Sequence, residues 1–282
     1  MNPAWTLLYW CAISTTTFVS SETPVCRDET GKAVDWFVTF KLPRLENAVH
    51  PLVHAGLAHA TFTSETAATG FILSEKSISD PTSAPGRTLA PLYNSSDILR
   101  LLYNDQKPNS SSASESHGHT KGVVLANSSG GLWLVHSVPH FPLASNASQY
   151  DFPSTAHHYG QSMLCITLPP GQFNSLGEQL SYNYPLVYDW ASPSELISAW
   201  PHLAAVAKEE HVRNPPYFSQ STLTSVGGQT FQVFAKTAKF GKDLYADWVA
   251  TSLQANLLVE SWPHGSGGRL PSECQLQYKE RS

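Results

Sequence analysis

A histidine and a lysine, His119 and Lys121, are separated by one residue in the segment Gly118-His119-Thr120-Lys121-Gly122. Alternate side chains of an extended strand share a face, so this spacing predicts that His119 and Lys121 point the same way while Thr120 points away. An imidazole can attack or protonate a phosphate ester, and a fixed ammonium offsets the charge on the phosphoryl oxygens. The triplet therefore predicts phosphate chemistry, the ordinary alternative being a solvated strand end.

The segment after this triplet has the pattern of a β-hairpin. Residues 123–126 and 132–135 are apolar, and the turn-forming residues 127–131 lie between them. A four-residue loop over 128–131 gives the pairs Leu125 with Leu134, Val123 with His136, and Lys121 with Val138. His136 would then lie diagonal to Lys121 on the same face, about 7–8 Å away, whereas a slip of one residue would move it to the other face. A hydrogen-bonded structural role is the alternative for His136.

Four further segments have recognisable patterns. Residues 34–43 read as a strand, and residues 97–103 read as a strand or a short helix. Residues 61–85 are rich in Ser, Thr and Ala and predict a loop-rich insertion. Apolar residues at helical spacing predict an amphipathic helix over about 239–257, whose Phe240 and Trp248 are expected in the core.

The first 21 residues have the character of a secretory signal peptide. They contain no charged residue or histidine, include an apolar segment at 4–10 and end in small residues. No later run reaches the ~18–20 apolar residues of a membrane helix. The sequence therefore predicts a signal peptide at 1–21 and a secreted or lumenal domain at 22–282. Four sequons fit that route and predict glycosylation at Asn94, Asn109, Asn127 and Asn146, with Asn127 in the predicted turn as the best acceptor.

Cysteine count and charge add two constraints. Cys11 leaves with the signal peptide, so Cys26, Cys165 and Cys274 remain, and an odd count leaves one thiol unpaired or without its partner. The net charge of −5 disfavours binding to a polyanion at neutral pH, but protonation of the 12 histidines would make the chain positive in an acidic compartment.

Several common cofactor motifs are missing from the sequence. It contains no Gly-rich phosphate loop, Cys-x-x-Cys pair or His-Glu-x-x-His motif. We therefore predict no cofactor and no metal.

Taken together, the motifs resemble those of the deoxyribonuclease II family, acid endonucleases related in fold to phospholipase D. The similarity includes Gly118-His119-Thr120-Lys121-Gly122 and Leu132-Trp133-Leu134-Val135-His136-Ser137-Val138-Pro139. The other matching segments, in the family's order, are Cys26 with residues 34–37, then 41–43, 86–89, 102–105, 159–162, 234–236, 239–245 and 270–274.

The resemblance implies a mixed α/β, phospholipase D-like fold with two pseudo-symmetric halves, each contributing one His-x-Lys motif to a single active site. One histidine is expected to attack the DNA phosphorus, another to protonate the leaving 5′ oxygen, and water to release a 3′-phosphate without a divalent metal. Carried onto this chain, His119 is a catalytic histidine, Lys121 a phosphate-binding cation and His136 a supporting site residue. The resemblance also pairs Cys26 with Cys165.

The sequence departs from the family pattern in one respect. It holds no second His-x-Lys motif, and the nearest lookalike is His211-Val212-Arg213, in different surroundings. The second half of the fold is therefore expected to be incomplete at its C-terminal end, where the partner of Cys274 would lie.

Two functional hypotheses follow from the resemblance and this departure. The first is an acid, metal-independent endodeoxyribonuclease of lysosomes or secretions that acts on double-stranded DNA with little sequence preference. The second is a catalytically inactive secreted glycoprotein that binds DNA or another partner. A monomer is expected, and a homodimer that brings two His119 side chains together is the alternative.

Overall fold

An eight-stranded antiparallel sheet forms the centre of the fold. The computed structural model describes residues 22–259, 272–275 and 277–281. The strands of this sheet are β1 Trp36–Lys41, β2 His59–Thr63, β3 Ile72–Leu73, β4 Leu99–Asn104, β5 Lys121–Asn127, β6 Gly130–His136, β7 Gln161–Leu168 and β8 Val187–Ala191. Their spatial order is β3-β2-β1-β7-β6-β5-β4-β8, and each neighbouring pair is antiparallel.

Helices and two small strand pairs complete the architecture. The α-helices are α1 Pro51–Ala55, α2 Ala84–Asn94, α3 Phe173–Asn183, α4 Ser194–Ala199, α5 Pro201–Ala207 and α6 Ala250–Leu253. An antiparallel hairpin is formed by β9 Phe218–Thr224 and β10 Thr230–Lys236, and a parallel pair by β11 Leu257–Leu258 and β12 Glu280–Arg281. The predicted mixed α/β fold is confirmed.

The central strands are buried on both faces because helices cover each side of the sheet. All seven residues of β5 are buried, and their side chains alternate between two apolar clusters. Val123 packs in the cluster that contains Leu89 of α2, while Val124 packs in the cluster that contains Leu176 of α3. The sheet thus gives a rigid support to whatever projects from the ends of β4, β5 and β6.

The predicted β5–β6 hairpin is present, but its register differs by two residues. Leu125 pairs with Leu132 rather than Leu134, because the connection is the two residues 128–129. Gly131 continues the ladder, since it approaches the carbonyl oxygen of Leu125 so closely that an added Cβ would lie 2.2 Å from it. A shift of two preserves the alternation of faces, so His136 stays on the face of Lys121 and moves from a diagonal position to the opposite one.

The other element predictions have mixed outcomes. Residues 34–43 and 97–103 do contain strands, namely β1 and β4. Most of the predicted loop-rich insertion over 61–85 lies outside helices and strands, but the end of β2, the short β3 and the start of α2 fall within it. These strands extend one edge of the sheet, where main-chain pairing needs no large apolar side chains.

The long helix predicted over 239–257 is also wrong. A 3₁₀ turn ends at Gly241, which has a left-handed φ of 68°, and helical structure resumes only at Tyr245 as a π-helical turn that leads into α6. The side chain of Asp243 accepts hydrogen bonds from the backbone N–H groups of Tyr245 and Ala246, at 2.8 and 2.7 Å, and so caps this new start. Trp248 is buried as expected, and Phe240 is half-buried.

The predicted signal peptide lies outside the described residues. Three of the predicted glycosylation sites, Asn94, Asn109 and Asn146, are exposed. Asn127 is buried at the end of β5, where its side-chain oxygen accepts a hydrogen bond from the N–H of Ser129 at 3.0 Å. Glycosylation stays a prediction at all four. In the part of the chain that the structure describes, no helix has the length and apolar character needed to cross a bilayer.

The disulfide implied by the resemblance joins Cys26 to Cys165, with 5.9 Å between their Cα atoms. It ties the N-terminal segment to β7, 139 residues later in the chain. Cys274 is exposed, and among the described residues it has no disulfide partner.

Replacement of both disulfide cysteines by serine is expected to lower the free energy of unfolding by about 2–5 kcal/mol, because the cross-link restricts a long loop of the unfolded chain. Denaturant unfolding of oxidised protein, followed by tryptophan fluorescence, measures this loss. Cys274→Ser is the matched control and should leave the unfolding midpoint unchanged. Equal midpoints for the double variant and the control would contradict the stabilising role.

Candidate active site

The His119 side chain lies on a loop at the edge of the sheet. This loop connects β4 to β5, and β5 begins only at Lys121, so the predicted strand conformation at His119 is wrong. The N–H of Thr120 donates to the carbonyl of Gly118 at 2.8 Å, which bends the chain just before the strand. As a result the His119 side chain is 84% exposed, whereas that of Lys121 is 3% exposed.

Asp105 brings the two side chains together. It directly follows β4 and is buried, with one carboxylate oxygen bonded to the ammonium of Lys121. The other oxygen lies 3.9 Å from Nε2 of His119. In the sequence, Asp105 belongs to the segment 102–105 that resembles the family, and no role was predicted for it. Its position after an apolar strand was the available signal, but the contact with Lys121 depends on how β4 pairs with β5.

The backbone around Asp105 is held by its neighbour Asn104. The amide of Asn104 donates to the carbonyls of Val138 and Phe141, at 3.0 and 2.9 Å, and its side-chain oxygen accepts from the N–H of Gln106 at 2.9 Å. These bonds satisfy the buried amide and fix the turn that leaves β4. The carboxylate of Asp105 is thereby presented to Lys121, the residue that pairs with Asn104 across the two strands.

A close contact beneath the site explains the glycine after Lys121. Gly122 pairs with Tyr103, and a Cβ added to Gly122 would lie 2.3 Å from the Tyr103 hydroxyl oxygen. That hydroxyl accepts a hydrogen bond from the indole N–H of Trp133 at 3.0 Å, and burial raises the pKa of Tyr103 well above its ordinary value. The absence of a side chain at Gly122 lets this buried phenol support the first residues of β5.

His136, at the end of β6, is buried beside the same cation. Its Nδ1 accepts a hydrogen bond from the N–H of Val138 at 3.2 Å, so in the neutral ring the proton is on Nε2. Nε2 is buried and has no hydrogen-bond partner among the described residues. Burial, and secondly the charge of Lys121, lower the pKa of His136 to about 3. The structure thus brings His136 to Lys121 but keeps the imidazole neutral in mildly acidic solution.

A stack of three rings supports the loop between β4 and β5, which carries His119. His117 stacks on Tyr184 with ring centres 4.5 Å apart, and Tyr184 stacks on His211 at 3.7 Å. The N–H of Gly118 donates to the carbonyl of Tyr184 at 2.9 Å, immediately before His119. His211 was predicted only as a lookalike of a second motif. Through Tyr184 it is joined to His117, which lies just before the first motif.

The polar centre thus combines an exposed imidazole, a buried carboxylate–ammonium pair and a buried neutral imidazole. Across the described ranges, no group of three or more His, Cys, Asp and Glu side chains is placed to hold a metal ion. An exposed imidazole beside a buried carboxylate can exchange a proton or act as a nucleophile, with the carboxylate orienting the ring.

Asp105→Asn is expected to lower the free energy of unfolding by about 3–5 kcal/mol, because the ammonium of Lys121 would stay buried without a countercharge. Denaturant unfolding at neutral pH measures the change. Asp97→Asn, at an exposed position, is the matched control and should stay within about 0.5 kcal/mol of the original chain. A similar small effect for Asp105→Asn would show that the pair is solvated.

His136 is expected to make folding less favourable in acid. The folded-state pKa lies below the ordinary value of 6.5, so between these values the unfolded chain binds a proton that the folded chain does not. Stability from this residue is complete above pH ~6.5 and falls as the pH drops towards 3, by about 2 kcal/mol at pH 5.

The variant His136→Asn retains an acceptor for the Val138 N–H and should lose this contribution. The measurement compares the unfolding free energies of both proteins at pH 7 and pH 5. The decrease should be about 2 kcal/mol smaller in the variant, and an identical decrease in both proteins would contradict the assignment.

Comparison with known proteins identifies the family to which these residues belong. The family model described as deoxyribonuclease II matches residues 25–282. Deoxyribonuclease-2-alpha of Rattus norvegicus is 44% identical over 266 residues, which cover 93% of this chain and 75% of the relative. Deoxyribonuclease-2-alpha of Sus scrofa is 41% identical over 270 residues, with coverages of 95% and 71%. Plancitoxin-1 of Acanthaster planci is 38% identical over 260 residues, with coverages of 91% and 72%. The chain belongs to the deoxyribonuclease II family.

Proposed function

We propose that this chain is an acid endodeoxyribonuclease of lysosomes or secretions, which hydrolyses double-stranded DNA without a metal and leaves 3′-phosphate ends. The observation that carries the proposal is the contact of Asp105 with both His119 and Lys121, in a chain of the deoxyribonuclease II family. An exposed imidazole thus lies beside buried charges that are already paired.

In the proposed first step, a ring nitrogen of His119 attacks the phosphorus of the DNA backbone. A nitrogen–phosphorus bond forms and the bond from phosphorus to the 5′ oxygen breaks. Asp105 orients the ring and stabilises the positive charge that the imidazole acquires. The electron pair of the broken bond goes to the 5′ oxygen, which takes up a proton.

In the second step, water attacks the phosphorus and loses a proton to the solvent, and the nitrogen–phosphorus bond breaks with its electron pair returning to the ring of His119, so that the phosphate stays on the 3′ oxygen. The ammonium of Lys121, which is buried beside Asp105, offsets charge on the phosphoryl oxygens. His136 is not the acid that protonates the leaving oxygen, because with a pKa of about 3 it carries no extra proton at pH 5. That proton comes from a different acid, a role that the family resemblance gives to another histidine.

The acid preference has a general electrostatic basis. At neutral pH the chain has a net charge of −5, which repels DNA. The chain has 12 histidines, and protonation of those other than the buried His136 in the pH range of lysosomes favours contact with a polyanion.

Plasmid nicking by the purified protein, with chelator at about pH 5 and pH 7.5, tests the proposal. We expect nicking at the lower pH and a loss of at least ~100-fold in His119→Ala, since groups that act as a unit lose most of the rate together. His50→Ala, at an exposed residue whose side chain makes no capping bond, is the matched control and should nick normally.

The product ends provide a second readout of the same reaction. A nick with a 3′-phosphate supports primer extension only after phosphatase treatment. Extension without that treatment would contradict the proposed direction of cleavage. Undiminished nicking by His119→Ala would remove His119 from the mechanism, and no nicking by the folded original chain would favour the non-catalytic DNA-binding alternative.

A further inference from the structure

A second candidate site lies between the chain at the start of β9 and the segment 240–248, outside the polar centre described above. It is a cleft of about 310 Å³, at the lower end of the range for small-ligand sites. Its walls are mainly apolar and include the rings of Tyr217, Phe218, Phe240 and Trp248. The charged residues of the lining are Lys242 and Asp247.

The aromatic side chains of the cleft range from buried to exposed. Trp248 is buried at the bottom, and the rings of Phe218 and Phe240 pack against it with centroids 5.0 and 5.3 Å away. Phe218 is 44% exposed although its ring contacts both neighbours. A phenyl ring that is fixed from below and open on one side can accept a flat apolar ligand by stacking.

Positive charge surrounds this aromatic surface. Three lysines occur within seven residues, and two of them lie over rings: the Nζ of Lys236 is 5.9 Å from the centre of Phe240, and that of Lys239 is 5.5 Å from the centre of Tyr217. Lys242 lines the cleft itself. The surroundings therefore combine flat apolar faces with ammonium groups, although the net charge of the chain is negative.

The nearby carboxylates accept hydrogen bonds from backbone N–H groups. Asp247 also lines the cleft, and one of its oxygens accepts the N–H of Asp243 at 2.9 Å. Asp243 in turn caps the helical segment that begins at Tyr245. These bonds hold the acidic groups on the backbone, whereas the three lysine side chains extend from it.

The cleft is connected to the His119 loop by a short run of chain. His211 belongs to the ring stack with Tyr184 and His117, and Tyr217 in the cleft wall follows it by six positions in the sequence. Six residues span at most about 20 Å. Successive nucleotides of one strand are ~3.4 Å apart in a duplex, so a strand covers this span between His211 and Tyr217 in about six nucleotides.

We propose that this cleft binds an unstacked nucleobase of single-stranded DNA, with Phe218 as the stacking platform and Lys239 and Lys242 as phosphate contacts. The inference rests on the proposed function, because it takes DNA as the ligand. Aromatic faces combined with lysines are the chemistry that recognises single strands without regard to sequence, since each base has a flat face and each linkage has a charge. A frayed strand beside a cleavage site supplies such bases.

Fluorescence anisotropy of a labelled oligothymidine of about 12 nucleotides tests this site at about pH 5 with chelator. All binding proteins carry His119→Ala, so that the probe is not cleaved, and are compared with and without Phe218→Leu. Leucine keeps the apolar contact with Trp248 but removes the aromatic face. The dissociation constant should increase about fivefold or more, and Phe218→Tyr should restore binding.

Phe71→Leu is the matched control, because Phe71 is 50% exposed and its ring also packs on an aromatic neighbour, Phe62, with centroids 4.7 Å apart. It should bind the probe as the parent protein does. An abasic oligonucleotide of the same length should bind weakly to the parent and lose little affinity in Phe218→Leu. Circular dichroism spectra and unfolding midpoints establish that each variant is folded.

The outcomes separate this inference from the proposed function. Nicking by the original chain together with equal oligothymidine affinity in the parent and Phe218→Leu overturns the cleft and leaves the nuclease intact. Equal losses of oligothymidine affinity in Phe71→Leu and Phe218→Leu also overturn the cleft. So does tight binding of the abasic oligonucleotide, if Phe218→Leu weakens it as much as it weakens oligothymidine binding. No nicking and no binding of either probe overturns both proposals.

Discussion

The geometry of the candidate active site depends on the buried ion pair between Asp105 and Lys121. The two residues are 16 positions apart in sequence and meet because β4 and β5 are antiparallel neighbours. Either charge would be strongly destabilising if it were buried alone, so the pair requires the end of β4 to lie beside the start of β5. Nε2 of His119 lies 3.9 Å from the second oxygen of the same carboxylate, so the exposed imidazole lies on the solvent side of the pair.

The pair also divides the histidines of the site into two types. His136 lies within the field of Lys121 and away from water, and both effects keep its imidazole neutral. His119 faces the solvent on the outer side of Asp105 and is open to a polyanionic substrate. One centre thus contains an imidazole that can react and one that can only donate a hydrogen bond from Nε2.

The loop that carries His119 is connected to the scaffold at both ends. Asp105 anchors its start to the sheet, and the stack of His117 on Tyr184 joins its end to the C-terminus of α3. Gly118 fits there because a Cβ would lie 2.0 Å from the carbonyl oxygen of Asn183. A functional loop held on two rigid elements can present a side chain to solvent without losing its position.

The sequence alone was sufficient for the local features and for the family. The strands β1, β5 and β6 follow from runs of apolar and β-branched residues, whereas residues 97–103 left β4 open between a strand and a short helix. The shared face of His136 and Lys121 survived an error of two residues because side chains alternate with a period of two. The ordered motifs predicted the family and the Cys26–Cys165 bridge, and both are confirmed.

Only the tertiary structure decided how these parts act on one another. The role of Asp105, the neutral state of His136 and the ring stack around Tyr184 depend on contacts between distant segments, which periodicity does not encode. The helix predicted over 239–257 is interrupted at Gly241, and the capping side chain of Asp243 starts a new helical segment at Tyr245. Hydrophobic pattern determines which residues are buried, but charges and caps act through specific distances, and these exist only after the chain has folded.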